Sequence, residues 1–139
     1  MKKYKIGYTT GVFDMFHIGH LNILRQAKEQ CEHLIVGVST DELVASYKNK
    51  HPIIPFSERI EIIRSIRYVD EVVAQTNRDK IAAFNELHFD AMFVGSDWKG
   101  NALFNDVEKY LNNHGSCVVY FPYTQGTSST ILREKLLKQ

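Results

Sequence analysis

Two patterns of hydrophobic and polar positions recur along the chain: short apolar runs and longer segments with helical spacing. The apolar runs are rich in Val, Ile, Phe and Tyr and end at turn residues, which is typical of buried strands. They predict strands at residues 5–10, 34–39, 71–75, 91–95 and 117–122. The intervening segments predict helices at 17–30, 57–66, 78–87, 103–113 and 128–138. This alternation predicts an α/β fold with a doubly wound, parallel five-stranded sheet and helices on both faces.

Composition narrows the class of protein. The chain has 139 residues, of which 44% are hydrophobic and 24% charged, which suits one globular domain over residues 1–139. Its formal net charge of +1 gives no broad electrostatic footprint for nucleic acid or an anionic membrane. The sequence shows no signal peptide and no apolar run near membrane-spanning length, so we expect a cytoplasmic protein without membrane insertion. Cys31 and Cys117 have neither disulfide-framework nor metal-ligand spacing, and we expect buried free thiols.

The stretch from Gly11 to His20 joins the first strand to the first helix. We expect the chain to turn at Gly11 and the helix to carry Ile18, Leu24 and Cys31 along one side. The unpaired N–H groups and the dipole at a helix N-terminus favour an anion. His17 and His20 are three residues apart and project from the same side of the first turn, and Gly19 between them leaves room for a ligand.

Paired imidazoles at an anion site suggest chemistry on a phosphate. They can donate hydrogen bonds to oxygens that gain charge during in-line displacement. This interpretation favours nucleotidyl transfer at the α-phosphate of a nucleoside triphosphate. The alternative is a pair of histidines at a helix N-terminus without a ligand.

Gly-Val-Phe-Asp at 11–14 followed by His-Ile-Gly-His at 17–20 resembles the signature of the cytidylyltransferase-like nucleotidyltransferases. The second tetrapeptide also matches the class I aminoacyl-tRNA synthetase motif, but a synthetase needs a Lys-Met-Ser-Lys-Ser-type loop and hundreds more residues. The resemblance implies a Rossmann-like domain with His17 and His20 as catalytic residues. It also implies nucleotide contacts by Thr10, Gly11, Val12, Phe13, Asp14 and Gly19.

Lys48 and Lys50 precede a loop bounded by Pro52 and Pro55, in the one irregular stretch, 48–55. Lysines on such a loop can neutralise phosphates, and the alternative is a solvated surface loop. The stretch resembles a Lys-x-Lys pair of glycerol-3-phosphate cytidylyltransferases. That resemblance implies that Lys48 contacts the incoming phosphate and that Lys50 acts catalytically on the leaving pyrophosphate. Ser57 is the predicted N-cap of the next helix.

Arg-Tyr-Val-Asp-Glu-Val at 67–72 resembles a hallmark of cytidylyltransferases that act on alcohol phosphates. The resemblance favours CTP over ATP and implies that Arg67 contacts the nucleotide. A salt bridge from Arg67 to Asp70 or a contact with the helix C-terminus is the alternative. Lys80 aligns roughly with a substrate-binding lysine of the same enzymes, and an ordinary exposed lysine is the alternative.

Asp97 and Trp98 directly follow the fourth strand, where Trp98 can stack on a base and Asp97 can accept hydrogen bonds from a ribose or an amino group. Core packing is the alternative for Trp98. An Asp-Trp-x-Gly segment of the glycerol-3-phosphate enzymes is similar.

Hydroxyl residues cluster after the last strand and suggest a second anion site at a capped helix start. The family pattern there is Arg-Thr-x-Gly-Ile-Ser-Thr-Thr or Ser, and this chain departs from it at Tyr123, where the family has Arg. The variant Ser-Ser-Thr also recurs in adenylyltransferases. The residues that we expect to bind the nucleotide here are Tyr123, Thr124, Gly126, Thr127, Ser128, Ser129 and Thr130.

Together these motifs favour a cytidylyltransferase that joins CTP and an alcohol phosphate, with glycerol 3-phosphate first, giving a CDP-alcohol and pyrophosphate. Mg²⁺ is expected to arrive on the triphosphate, without a dedicated protein ligand. The resemblance further implies a homodimer and a role in supplying surface polymers such as teichoic acid or capsule. The alternatives are an adenylyltransferase and a domain that senses CTP without turnover.

Overall fold

The computed structural model describes residues 2–48, 50–122 and 129–138. Its strands are β1 (Tyr4–Gly11), β2 (Cys31–Ser39), β3 (Glu71–Gln75), β4 (Ala91–Gly95) and β5 (Cys117–Phe121). Its helices are α1 (Ile18–Gln30), α2 (Asp41–Lys48), α3 (Phe56–Arg64), α4 (Lys80–Leu87), α5 (Ala102–Asn113) and α6 (Ser129–Leu137). A single 3₁₀ turn, Ser96–Trp98, follows β4.

The five strands are parallel and lie in the order β3-β2-β1-β4-β5. Tyr8 at the centre of β1 pairs with Ile35 on one side and Met92 on the other. The strand order reverses between β1 and β4. In sheets of this kind a crevice opens beyond the carboxyl ends of the strands at that point, which places Gly11 and Gly95 beside it.

Helices cover both faces of the sheet, and a separate core lies under each layer. On one face, Leu24 of α1 and Ile63 of α3 pack against Val36 and Phe93. On the other, Phe104 and Leu111 of α5 pack with Tyr8, Ile35 and Met92 of the sheet. Neighbouring residues of one strand therefore belong to opposite cores, as the pleat requires. The predicted doubly wound α/β fold is confirmed.

Helix α2 is the element that the sequence reading missed, so Lys48 ends a helix and the irregular stretch begins after it. The missed signal is an N-cap: the Thr40 hydroxyl accepts a hydrogen bond from the Leu43 N–H at 3.1 Å, and two acidic residues occupy the first turn. Eight residues are too few to establish a helical period on their own, which hid the helix.

Three further local predictions are wrong. Cys31 begins β2 instead of extending α1, because β2 pairs with β1 from Tyr4 onward. Helix α3 begins at Phe56 with Pro55 in the N-cap position, so Ser57 lies inside the helix. Both cysteines are free, but Cys117 is half-buried. Strands β3 and β4 match their predicted bounds, and the other element ends that differ do so by one to three residues.

Within the described ranges, none of the helices combines the length and the apolar character needed to cross a membrane.

Candidate active site

The connection between β1 and α1 is a strained turn. Its strain lies at Phe13 and Met15, whose φ angles are 55° and 48°, in the left-handed region that side chains disfavour. The turn was expected at Gly11, which instead ends β1. A Cβ at that position would lie 3.0 Å from the Phe13 ring, so the glycine provides space for Phe13 and not a turn conformation. Strained backbone of this kind persists where the surroundings fix it, as at functional sites.

His17 and His20 cap the helix that follows and face one another. The Nδ1 atom of His17 accepts a hydrogen bond from the Gly19 N–H at 3.1 Å. The Nδ1 atom of His20 accepts one from the backbone N–H of His17 at 3.3 Å. The two rings stack with centroids 3.8 Å apart. A neutral imidazole that accepts at Nδ1 carries its proton on Nε2, so each histidine keeps one N–H donor for a ligand.

The surroundings keep both histidines neutral. The rings of Phe13 and Phe16 lie 5.3 and 5.4 Å from the ring of His20. Burial lowers the pKa of His17. Burial, and then the charge of His17, lowers the pKa of His20 to about 4. Near neutral pH the unliganded site thus offers two uncharged donors, which can stabilise developing negative charge on a phosphate.

Asp14 ties this turn to two other parts of the chain. Its buried carboxylate accepts hydrogen bonds from the N–H groups of Ile53 and Ile54 at 2.8 and 2.9 Å, and it pairs with Arg133 of α6. Its backbone carbonyl accepts one from the Ser129 hydroxyl at 2.6 Å. Burial alone would raise the pKa of Asp14, but these hydrogen bonds lower it. Asp14 lines the cavity, while both its carboxylate oxygens bind the protein, and its predicted contact with the nucleotide stays a prediction.

Arg59 is a structural residue of the site that sequence reasoning missed. It is 1% exposed and donates to the carbonyl oxygens of Val12, Ser39 and Ile54 at 2.7–2.8 Å. It also pairs with Asp41 at 2.7 Å. This guanidinium therefore joins the β1–α1 turn to the end of β2, the start of α2 and the loop before α3. A buried Arg at the fourth position after an N-cap Pro has no distinctive pattern in a single sequence.

A cavity of about 890 Å³ opens at the carboxyl edge of the sheet. The last residues of four strands, Gly11, Ser39, Gln75 and Gly95, all line it. Its volume lies in the upper part of the range of roughly 300–1,000 Å³ that ligand sites occupy. The predicted site residues along its wall are Thr10, Gly11, Val12, Phe13, Asp14, His20, Lys48, Lys50, Lys80, Trp98, Ser129 and Thr130. His17 adjoins it through its stack on His20, and Gly19 supports His17 from the backbone.

Basic side chains surround the cavity: Lys48, Lys50, Arg78, Lys80 and Arg133. Lys80 is not an ordinary exposed lysine, since its ammonium group donates to the Thr10 hydroxyl at 3.0 Å. Burial, and then the charge of Arg78, lowers the pKa of Lys80 to about 8. Burial and the neighbouring Lys50 and Arg133 likewise lower the pKa of Lys48. Such a wall suits a ligand with several negative charges.

Trp98 lines the cavity with a partly exposed ring, whose centroid lies 5.1 Å from that of Phe104. The Trp98 ring is therefore neither fully packed in the core nor fully exposed. The side chain of Asp97 and the residues 123–128, with the predicted contacts of Tyr123, Thr124, Gly126, Thr127 and Ser128, lie outside the described residues.

The fold separates Arg67 from the cavity. It is exposed and lies just before β3, at the amino edge of the sheet, opposite to the edge where the cavity opens. Its guanidinium donates to the Tyr68 hydroxyl at 3.1 Å and lies over the Tyr68 ring. The predicted contact of Arg67 with the nucleotide is therefore not supported by its position in this chain. The strand predicted at 71–75 already placed Arg67 at an amino end, and the motif match outweighed that signal.

A doubly wound sheet with paired histidine donors and a basic cavity at its switch point defines a nucleotidyltransferase. The chain belongs to the cytidylyltransferase-like family, whose model matches residues 8–135.

Several relatives cover most of the chain. It is 35% identical over 130 residues to the glycerol-3-phosphate cytidylyltransferase of Bacillus subtilis, spanning 92% of this chain and 94% of that protein. It is 37% identical over 116 residues to the FAD synthase of Thermococcus kodakarensis, spanning 81% of this chain and 76% of that protein. Among solved structures, a lipopolysaccharide core biosynthesis protein from Thermoplasma volcanium matches with a TM-score of 0.72 at 25% identity, covering 89% of this chain and 99% of the other.

Proposed function

We propose that this protein transfers CMP from CTP to an alcohol phosphate, most directly glycerol 3-phosphate, and releases pyrophosphate. The observation that carries the proposal is the His17–His20 pair, whose Nδ1 atoms accept backbone N–H groups so that two neutral Nε2 donors remain. The similarity to glycerol-3-phosphate cytidylyltransferases over more than nine tenths of the chain supports the choice of substrates.

The reaction needs no covalent intermediate on the protein. An oxygen of the acceptor phosphate attacks the α-phosphorus of CTP, a new P–O bond forms, and the bond from the α-phosphorus to the bridging α–β oxygen breaks. Its electron pair leaves on pyrophosphate. In the transition state, charge builds on the non-bridging oxygens, where the Nε2–H groups of His17 and His20 stabilise it. Donors that strengthen in the transition state contribute about 10²–10³ in rate each.

Different basic residues bind each of the two substrates. In this proposal Lys50 and Arg133, with the α6 residues Ser129 and Thr130, hold the β- and γ-phosphates and the departing pyrophosphate. Lys48 and Lys80 attract the acceptor phosphate, and Lys80 lies closest to the end of β1 through its bond to Thr10. Trp98 offers a flat surface for the base. Charge-assisted hydrogen bonds of this kind are about twice as strong as neutral ones.

In this proposal Mg²⁺ enters the site bound to the triphosphate. Within the described residues, His, Cys, Asp and Glu do not form a group of three or more placed to hold a metal ion. The carboxylate of Asp14 is already bound by Ile53, Ile54 and Arg133. These residues do not fit a dedicated cation site, so every step above uses the protein's own side chains.

A second candidate is adenylyl transfer from ATP to an aromatic phosphate. The cavity has an apolar side formed by Trp98, Leu103, Phe104 and Val107, with Leu103 61% exposed. A small polyol phosphate leaves such a surface uncovered, whereas a flat aromatic acceptor covers it. The similarity to FAD synthases points in the same direction.

We further propose that the protein forms a homodimer and that its product is a precursor of surface polymers. Both statements rest on the resemblance to glycerol-3-phosphate cytidylyltransferases.

A screen of pyrophosphate release tests the proposal. CTP and ATP are each paired with glycerol 3-phosphate, phosphocholine, phosphoethanolamine and flavin mononucleotide, with Mg²⁺ present. Turnover with CTP and an alcohol phosphate is the expected result. Turnover with ATP alone contradicts the choice of nucleotide, and flavin mononucleotide as its partner would establish the second candidate. Tight CTP binding without turnover of any pair would favour a CTP sensor.

A further inference from the structure

Arg78 and Tyr47 form a contact at the cavity that neither the sequence motifs nor the mechanism above uses. Arg78 lies in the loop between β3 and α4, and Tyr47 lies in α2. The guanidinium carbon of Arg78 is 4.3 Å from the centroid of the Tyr47 ring, within the range of a cation–π contact. Both side chains line the cavity. The contact therefore fixes the position of an exposed arginine beside a ligand site.

Arg78 and Lys80 form a pair of cations without a carboxylate partner in the described parts of the chain. The salt bridges there involve other basic residues. The intervening Asp79 is engaged elsewhere, as its carboxylate caps α4 by accepting from the Ala82 N–H at 3.0 Å. Lys80 is largely withdrawn from water and has the Thr10 hydroxyl as its hydrogen-bond acceptor at 3.0 Å.

Two neighbouring cations, one of which is largely withdrawn from water, destabilise one another unless an anion joins them. A phosphate dianion offers oxygens to both, and a planar guanidinium can bind two of them at once. The backbone places this pair close to the reacting centre, because Thr10 precedes Gly11 at the end of β1, where the turn to His17 and His20 begins.

Lys48 connects this pair to the remaining basic residues of the cavity. Its charge acts with those of Lys50, Arg133, Asp14 and Arg78, and its ammonium group lies 5.8 Å from the centroid of the same Tyr47 ring. Arg133 lies on the far side of Lys48, where it pairs with Asp14. Lys48 therefore interacts with both the Arg78 side and the Arg133 side of a cavity in which two anionic substrates must meet.

We propose that Arg78, held in place by Tyr47, binds the phosphate of the acceptor together with Lys80 and makes the site selective for phosphate monoesters with two negative charges. The inference rests on the proposed function and refines it, because it divides the cavity between the acceptor and the triphosphate. Arg78 contacts substrate in this account, and Tyr47 is a positioning residue.

Isothermal titration calorimetry tests the inference without turnover. Inorganic phosphate, glycerol 3-phosphate and CTP are titrated separately into the wild type, Arg78→Gln, Tyr47→Leu and Tyr47→Phe. Arg64→Gln is the matched control, since it also removes an exposed charge, here one paired with Glu61 on α3. Loss of a hydrogen bond to a charged group weakens binding by about tenfold or more.

We expect Arg78→Gln to raise the Kd of phosphate and of glycerol 3-phosphate by about tenfold or more, and that of CTP by less than about threefold. Tyr47→Leu should shift the same two ligands by a smaller factor, while Tyr47→Phe keeps the ring and should retain the affinity. The inference would be overturned if Arg78→Gln weakened the binding of CTP and of phosphate equally, or if it left the binding of phosphate unchanged. It would also be overturned if the wild type did not bind phosphate. If the wild type bound phosphate but released no pyrophosphate, and Arg78→Gln bound phosphate more weakly, the proposed reaction would be wrong and the phosphate subsite would be supported.

Discussion

The imidazole rings of His17 and His20 stack with centroids 3.8 Å apart, and each ring holds a backbone N–H at its Nδ1 atom. The first turn of α1 thereby orients both rings with its own backbone, so no separate group is needed to fix their tautomers. Helix capping occupies the Nδ1 atoms of the two rings and leaves their Nε2 atoms for a ligand. This relationship leads to the first prediction.

Replacing either histidine by alanine should lower kcat by about 10² or more, because each Nε2–H stabilises charge that appears in the transition state. Steady-state pyrophosphate release with saturating CTP and acceptor measures the effect. His33→Ala serves as the control, since His33 is half-exposed and pairs with Glu71 at the far edge of the sheet. Rates near the wild-type value in both variants would remove the pair from the mechanism.

His20 should also make stability depend on pH between about 4 and 6.5. Its pKa is lowered from 6.5 to about 4 in the folded protein, so in this interval the unfolded chain binds a proton that the folded chain does not. The contribution of His20 to the free energy of unfolding is fully present above pH 6.5. It falls as the pH drops toward 4, by at most about 1.4 kcal/mol per pH unit for one proton. Urea unfolding at a series of pH values measures this slope.

His20→Gln should reduce the slope over that interval, because glutamine does not titrate. His17, whose pKa is also lowered from 6.5, keeps the remaining slope, and Asp14, whose pKa is lowered from 3.8, acts only at lower pH. An unchanged slope in His20→Gln would show that other groups produce the dependence.

Acceptor use should decline above about pH 8. The pKa of Lys80 is about 8 in the unliganded protein, so at higher pH the ammonium group loses its proton and with it the attraction for a phosphate. The measurement is kcat/KM for the acceptor against pH at saturating CTP. Lys80→Arg keeps its charge throughout this range and should shift the alkaline decline upward. The same decline in Lys80→Arg would assign it to another group.

Arg59→Met should destabilise the protein by about 3–5 kcal/mol, since it leaves three carbonyl oxygens and Asp41 without their buried partner. Denaturant unfolding with the midpoint and slope both fitted measures the change. Arg64→Met removes an exposed arginine from the same helix and should change the free energy of unfolding by less than about 0.5 kcal/mol. A similarly small effect of Arg59→Met would contradict the role given to this cluster.

The sequence predicted the fold because the strand signals are strong and regularly spaced. Leu34, Val36 and Val38 belong to one core and Ile35 to the other, so β2 is buried on both sides and appears as a continuous apolar run. Helix α2 was not predicted because its clearest signal is the cap formed by Thr40 and not a hydrophobic period.

The candidate site was predictable where residues near in sequence act together. His17 and His20 lie one helical turn apart, and the strand ends bring Thr10 and Trp98 to the same edge. Contacts between distant parts of the chain were not predictable, since nothing in the local sequence links Arg133 with Asp14 or Arg78 with Tyr47. Arg67 shows the reverse, because its motif is specific although it precedes the correctly predicted strand 71–75 and therefore lies at the amino edge, away from the carboxyl ends where the crevice forms.

The identity of the phosphorus atom that is attacked is the central claim, and phosphorus NMR of the reaction products tests it most directly. With CTP and glycerol 3-phosphate, the account predicts pyrophosphate and a CDP-alcohol in equal amounts, both lost together in His17→Ala and His20→Ala. Formation of CDP, with the terminal phosphate either transferred to the acceptor or released to water as inorganic phosphate, would place the attack at the terminal phosphorus and contradict it.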